Sequence, residues 1–404
     1  MRRSSRFAVA IAAAMVACVT HAQAVDTKNT WDLSQIYPDT AAWNADEAKL
    51  DAQMKELAKC AGHLGDSAAR FKQCMDLRWD MEKRMARMYT YAGEKYSDDT
   101  SLPANLELQQ RAQLVNTKLN ETEAYTNPEL LHIGRAKINS FLAGEPSLGI
   151  YRHWLDDVLR MAPHTLDKEG EDLLASFGLT AGTGYQIHES LTETDIPWST
   201  VKFSTGEEGR VDLTGYEKYR QSPVRADRKL AMDTFMATLK TYETSLGIAL
   251  YSQLKEEKVS AKARRYPDSI TNTLDRNRIP VAVMDTLIAQ ANANLPTLHR
   301  YFKLRAKMLG VQEMHYYDIY PPLVESDLKF PIDLSRRLVL EAVAPLGPEY
   351  VAGMNQGLNG RWMDVYPRKG KQSGGHMAGS AYDVHPYLLL NHHDDYESLT
   401  TVAH

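Results

Sequence analysis

Near its carboxy end the sequence gathers His385, His392, His393, Asp394, Asp395, Glu397 and His404. Imidazoles and carboxylates are the side chains that hold zinc and related metals. Spacing decides whether they can act together. Consecutive residues seldom converge on one ion, so His392-His393-Asp394-Asp395 reads as a solvated helix-start tract rather than four ligands. A metal site of a structural protein, built from His385, His392 and His393, is a second reading. His404 differs in kind. Tyr396, Leu399, Val402 and Ala403 share one helical stripe, and His404 lies off it with Thr400 and Thr401. Asp394 and Glu397 have capping-box spacing, so a helix is expected to start near Asp394–Asp395 and to carry His404 on its polar side.

The elements that must position this helix come before it. Residues 360–379 hold five glycines among basic and small residues, a composition that allows close backbone approach. Val384-His385-Pro386-Tyr387-Leu388-Leu389-Leu390-Asn391 is apolar and strand-like, which favours a segment folded on a core over a flexible surface loop. Upstream the habit is helical. Patterns run through about 40–60, 66–92, 103–122, 127–142, 149–160 and 167–191. Ile196-Pro197-Trp198 breaks this run. Val201 and Phe203, a Thr205–Gly209 turn, and Val211 and Leu213 then predict a β-hairpin over 200–213. Three-to-four spacing from Met232 to Leu254 predicts one helix over 227–262. Further helices are expected over 281–293, 297–309 with Gly310 as C-cap, 334–344 and 349–358. A boundary near Pro197 divides an N-terminal helical lobe, 25–196, from a second, mainly helical lobe, 197–404.

Composition narrows the classes. A 43% hydrophobic and 25% charged chain is globular, and a net charge of −5 gives no support to nucleic-acid binding. Arg2 and Arg3, the apolar run Phe7–Val19 and the small-x-small site Ala22-Gln23-Ala24 read as a signal peptide cleaved after Ala24. The run is too short to span a bilayer. The expected location is therefore the periplasm or the medium. A lipoprotein signal ending at Cys18 is the minor alternative. Cys60 and Cys74 flank the turn Gly62–Asp66, and both a disulfide and two buried thiols fit their spacing.

Several strings, in order and at matching spacing, carry a resemblance. They are Trp31-Asp32-Leu33…Ile36-Tyr37, Leu295-Pro296…His299-Arg300-Tyr301, His315…Tyr317-Asp318 and Arg361-Trp362-Met363-Asp364-Val365-Tyr366…Lys369-Gly370-Lys371. His385-Pro386-Tyr387…Asn391 and Leu399-Thr400-Thr401-Val402-Ala403-His404 complete the set. The mature chain resembles the oligoendopeptidase F family, relatives of thimet oligopeptidase. The resemblance implies a mainly α, two-lobed zinc-peptidase architecture with a small β-hairpin and an incomplete catalytic lobe. It implies hydrolysis of short peptides by a zinc-activated water, with His404 as the first His of H-E-x-x-H. It also implies that the general-base Glu and the other zinc ligands lie beyond His404. On that reading the chain is truncated, is not expected to hold zinc tightly, and is inactive alone. The family's substrate-pairing edge segment falls on Gly374, Gly375 and His376, where Gly and His replace Ala and Tyr. The alternative function is an exported, catalytically dead, peptide-binding helical protein.

Overall fold

The computed structural model describes residues 27–324 and 328–404. The signal-peptide residues, Cys18 and Ala24 lie outside them. The architecture is mainly α, as the helical periodicities require. In the first part of the chain, α1 (Thr40–Leu57), α2 (Ala68–Asp98), α3 (Pro103–Glu123) and α4 (Thr126–Gly144) pack on one another. Asp39 and Ser67 cap α1 and α2 by accepting the N–H groups of Ala42 and Arg70. Shorter helices follow as α5 (Arg152–Arg160), α6 (Lys168–Ser176) and α7 (Thr183–Glu189). The 167–191 pattern is thus two helices, parted where Gly182 takes a left-handed φ of 74°. A π-helical turn, Ser190–Asp195, ends this part.

The hairpin forms from β1 (Thr200–Lys202) and β2 (Glu208–Arg210), antiparallel. It is shorter than 200–213, because Asp212 accepts the Gly215 N–H and starts α8 (Leu213–Tyr219). The 227–262 pattern also divides, into α9 (Arg225–Thr241) and α10 (Glu243–Ala263). Between them Tyr242 leaves helical geometry and packs against a small core around Trp198, Tyr216 and Phe235. α11 (Ser269–Asp275) comes next. In the opposite sense, 281–293 and 297–309 are a single helix, α12 (Val281–Met308), running through Pro296. Proline removes the bond to residue 292, but this stretch is exposed, so water can take the released carbonyl. Gly310, with φ 66°, closes the helix as expected.

The chain ends with α13 (Ile332–Ala342), α14 (Pro348–Asn359), β3 (Met363–Asp364), β4 (His376–Ala378), β5 (Tyr387–Leu389) and α15 (Tyr396–Ala403). The three strands form one sheet in the order β3-β5-β4, with β3 parallel and β4 antiparallel to β5. Tyr387 and Leu389 point into the N-terminal core beside Trp31, while Leu390, Met363 and Val402 form a third core with α13 and α14. The sheet is therefore the seam between two cores. The N-terminal segment stitches it: Asn29 accepts the Val365 N–H, and Asp32 donates its N–H to Arg361. Cys60 and Cys74 are disulfide-bonded inside the N-terminal core, their Cα atoms 6.0 Å apart. Among the described residues no helix is long and apolar enough to cross a membrane.

Candidate functional site

The glycine-rich segment is held on every side. Thr100 donates its amide to the Gly370 carbonyl at 2.7 Å, and Gln372 donates its amide to Ser97 at 2.9 Å. The Gln372 side chain reaches Glu189, and Ser373 donates its amide to Glu193. Burial raises both of these carboxyls above the usual range. Asn391 donates to the carbonyls of Gln372 and Gly374 at 3.0 and 2.8 Å. His376 meets the buried Glu94 of α2 at 3.0 Å. The segment is folded structure, as the apolar run after it implied.

Beneath it lies a buried charge cluster. Lys371 and Asp364 have fully buried side chains and meet at 2.6 Å. Arg368 grips both oxygens of Asp364 at 2.6 and 2.9 Å and also pairs with Asp98. The other two donors of Lys371 are shared among the carbonyls of Tyr366, at 2.9 Å, Asp364 and Leu390. Burial pulls Lys371 down to about 8, and the carboxylate opposes that pull. This cluster sets where the segment leaves β3 and where it meets β5.

The sheet then presents an edge. Leu388 and Leu390 donate their amides to Trp362 and Asp364 on the β3 side, so Tyr387 and Leu389 face β4. Their partners are Ala378 and His376. By the two-residue alternation of an antiparallel pair, the N–H and C=O of Met377 point away from β5. No strand joins that side among the described residues, and the Met377 side chain is exposed. The edge begins against α15. A Cβ on Gly375 would lie 3.7 Å from Thr401, an ordinary contact distance, and 3.3 Å from the Leu389 carbonyl, so the glycine eases the approach of this segment to β5 rather than to the helix. A small cleft of about 120 Å³ lies between segment and helix, lined by Gly374, Gly375, Glu217, His393 and Thr401 among others.

α15 starts one residue later than Asp394. Asp395 is its cap, accepting the Ser398 N–H at 2.7 Å, while Asp394 sits at φ 56°. The inward face is Ser398, Leu399 and Val402, and Tyr396 and Ala403 are exposed. Glu397 pairs outward with Arg220 at 3.0 Å, tying α15 to α8. His404 caps the end with an exposed side chain.

The histidine tract is not solvated. His392 is buried; its Nδ1 accepts the Asp394 amide at 3.0 Å, which leaves Nε2–H to donate to Ser335. Burial lowers the affinity of His392 and His393 for a proton. His385 stacks on Trp362 at 4.1 Å and reaches Gln35 through Nε2. The rings of His385 and His392 are thus engaged separately, and His393 Nε2 is buried without a hydrogen-bond partner. Among the described residues no three His, Cys, Asp or Glu side chains form a metal-binding group. The residues present do not fit zinc: His404 is one imidazole, and a zinc site needs at least three protein ligands.

The structure thus brings Gly374, Gly375 and His376 to the start of an open edge beside the helix that ends in His404. Sequence reasoning missed Glu94, Glu189 and Glu193 as anchors. Their partners are distant along the chain, and isolated acidic residues on helices give no local signal.

Known proteins are similar to this chain in sequence and fold. A profile of Peptidase family M3 matches residues 218–404, and one of Oligopeptidase F matches residues 129–197. The chain is 32% identical over 381 residues to Oligopeptidase PepF of Bacillus subtilis, covering 94% of this chain and 57% of that protein. It is 30% identical over 380 residues to Group B oligopeptidase PepB of Streptococcus agalactiae, covering 94% and 63%. The chain therefore spans about three fifths of the length of these curated relatives. Among solved structures, an oligoendopeptidase-F from Enterococcus faecium superposes with a TM-score of 0.70 at 27% identity, over 78% of this chain and 60% of that one.

Proposed function

Because this chain belongs to the oligoendopeptidase F family, we propose that it serves the cleavage of short peptides and that the β4 edge is where peptide backbone is held. The observation that carries this reading is the outward N–H and C=O of Met377, on an edge whose start at Gly375 lies beside Thr401 of α15. An extended peptide added to that edge gains main-chain bonds regardless of its side chains, which suits broad peptide recognition. Its backbone would lead toward the polar side of α15 and His404. His376, anchored on Glu94, keeps the strand in register.

Zinc dependence belongs to this proposal as a property of the family, and no step through the metal is assigned to these residues. His404 is the one side chain proposed as a ligand. The activity proposed for the 404-residue chain by itself is peptide capture without turnover. Export is proposed with it, on the charged start, apolar run and Ala22-Gln23-Ala24 site; mass spectrometry should find Val25 first, and a lipid on Cys18 would refute soluble export.

The test uses a fluorescent short peptide and the 404-residue chain. Met377→Pro removes the outward N–H while leaving the inward pairs of β4, and edge strands tolerate proline. Binding should weaken about tenfold or more, one main-chain bond and its geometry being lost. Chelator should not change binding, and a quenched version of the peptide should stay intact. Binding indifferent to Met377→Pro would refute the edge, and chelator-sensitive cleavage would refute capture without turnover.

A further inference from the structure

A second and larger cleft, of about 780 Å³, opens where α5, α6 and α7 face α10 and α11. It shares no lining residue with the cleft between β4 and α15. Its volume is that of small-molecule sites.

The walls are fixed by contacts between elements far apart in sequence. Arg264 holds both oxygens of Glu171 at 2.9 Å and donates to the His164 carbonyl at 3.2 Å. His164 Nδ1 donates in return to the Arg264 carbonyl at 2.8 Å, and its ring stacks on Tyr266 at 3.7 Å. Arg160 pairs with Asp275 at 2.7 Å. α7 lies so close to α10 that a Cβ on Gly184 would overlap the Ala249 carbonyl. Such a cleft is preformed, and a ligand loses little by ordering it.

The lining carries a polar group with no structural use. Asn272 on α11 is 0% exposed, and neither its Oδ1 nor its Nδ2 has a hydrogen-bond partner. Leaving buried polar atoms unpaired costs about 1–3 kcal/mol each, whereas a leucine of similar size would cost nothing of this kind. A carboxamide offers one acceptor and one donor side by side, the complement of an amide. Two cations line the same cleft without a carboxylate partner among the described residues. Lys255 lies over the Tyr251 ring, and Arg276 reaches only the Ser260 hydroxyl at 3.4 Å. The nearby acids are engaged: Asp157 by Arg160 and Arg278, and Glu256 by the Gly182 amide. Apolar surface comes from Trp154 and Phe177; Trp154 is braced edge-on by Trp79 at 5.7 Å.

An unpaired carboxamide, two unpaired cations and an aromatic wall describe one ligand chemistry. We propose that this cleft binds an N-acylated amino carboxylate, such as the carboxy-terminal end of a short peptide. Asn272 pairs with the amide, Lys255 and Arg276 take the carboxylate, and the ligand's apolar side chain lies on Trp154 and Phe177. This inference does not rest on the β4 edge, since the two clefts are separate.

Calorimetry on the 404-residue protein with N-acetylphenylalanine as probe tests it. Saturable binding is expected. N-acetylphenylalaninamide, which lacks the charge, and 3-phenylpropionate, which lacks the amide, should each bind about tenfold more weakly, as should N-acetylphenylalanine to Asn272→Leu. Asn272→Leu should not lower the melting temperature, because it removes unpaired polar atoms. Met377→Pro should leave the affinity unchanged, and a fall there would place the ligand on the edge and overturn the inference. Absence of binding, or equal affinity for Asn272→Leu, would overturn it too. If Asn272→Leu fails to fold, the three ligands on the native protein still decide, because equal affinities would refute recognition of both amide and charge.

Discussion

Lys371→Met strikes the point on which the candidate site is built. The side chain is fully buried, with Asp364 at 2.6 Å and three backbone carbonyls as further acceptors. Methionine replaces its length but none of its donors. Removing one partner of a buried ion pair costs about 3–5 kcal/mol, much of it from the charge left behind. Here Arg368 still grips both oxygens of Asp364, which points to the lower end. The orphaned carbonyls of Tyr366 and Leu390 add about 1 kcal/mol each. A loss of about 5 kcal/mol follows for the structure that holds residues 364–376 to β5. At about 1.4 kcal/mol per factor of ten, that is native-state hydrogen exchange faster by roughly several thousandfold. The amides to watch are those of β4 and β5, with α1 and α3 as internal controls that should not change. The double variant Lys371→Met, Asp364→Asn should recover part of the loss, because no uncompensated carboxylate stays buried. An acceleration below about fivefold, near 1 kcal/mol by the same conversion, or a double variant worse than the sum of the singles, would refute the cluster as the anchor of the edge.

Two further outcomes follow from the N-terminal core. Reducing Cys60–Cys74, or changing both to Ser, should destabilise that core by about 3 kcal/mol from the regained freedom of a short loop, read as a lower urea midpoint; an unchanged midpoint refutes it. Glu123, buried beside Arg78 at 2.7 Å, is pushed up to about 8 chiefly by burial. Its folded value exceeds its unfolded one, so stability is full below about pH 4.5 and is lost as pH rises through about 8. Glu123→Gln should flatten the decline in urea stability across that window, and a decline that persists would exclude this group as its source.

Local patterns made the helices of this protein legible in its sequence. Gly310 ends α12 and the Val201–Val211 alternation marks the hairpin, while α15 is capped by Asp395, one residue past the Asp394 that the capping-box spacing pointed to. The errors lie where a distant partner outweighed a local rule. Tyr242 breaks a steady helical stripe because its ring packs on the core around Phe235, and Pro296 does not break α12, where the exposed stretch leaves the freed carbonyl open to solvent. The motif strings placed Gly374, Gly375, His376 and His404, yet nothing local shows that Gly375 lies beside the helix that ends in His404. That proximity depends on β5 lying between β3 and β4 and on Glu94 reaching His376 across 282 residues. His392 reads as solvated from its polar neighbours and is buried because Ser335 of α13 closes over it. The unpaired Asn272 belongs wholly to the tertiary structure, since whether a carboxamide finds a partner depends on every element packed around it. Sequence determines what each segment can do alone; packing decides which of those groups are left unsatisfied and face each other.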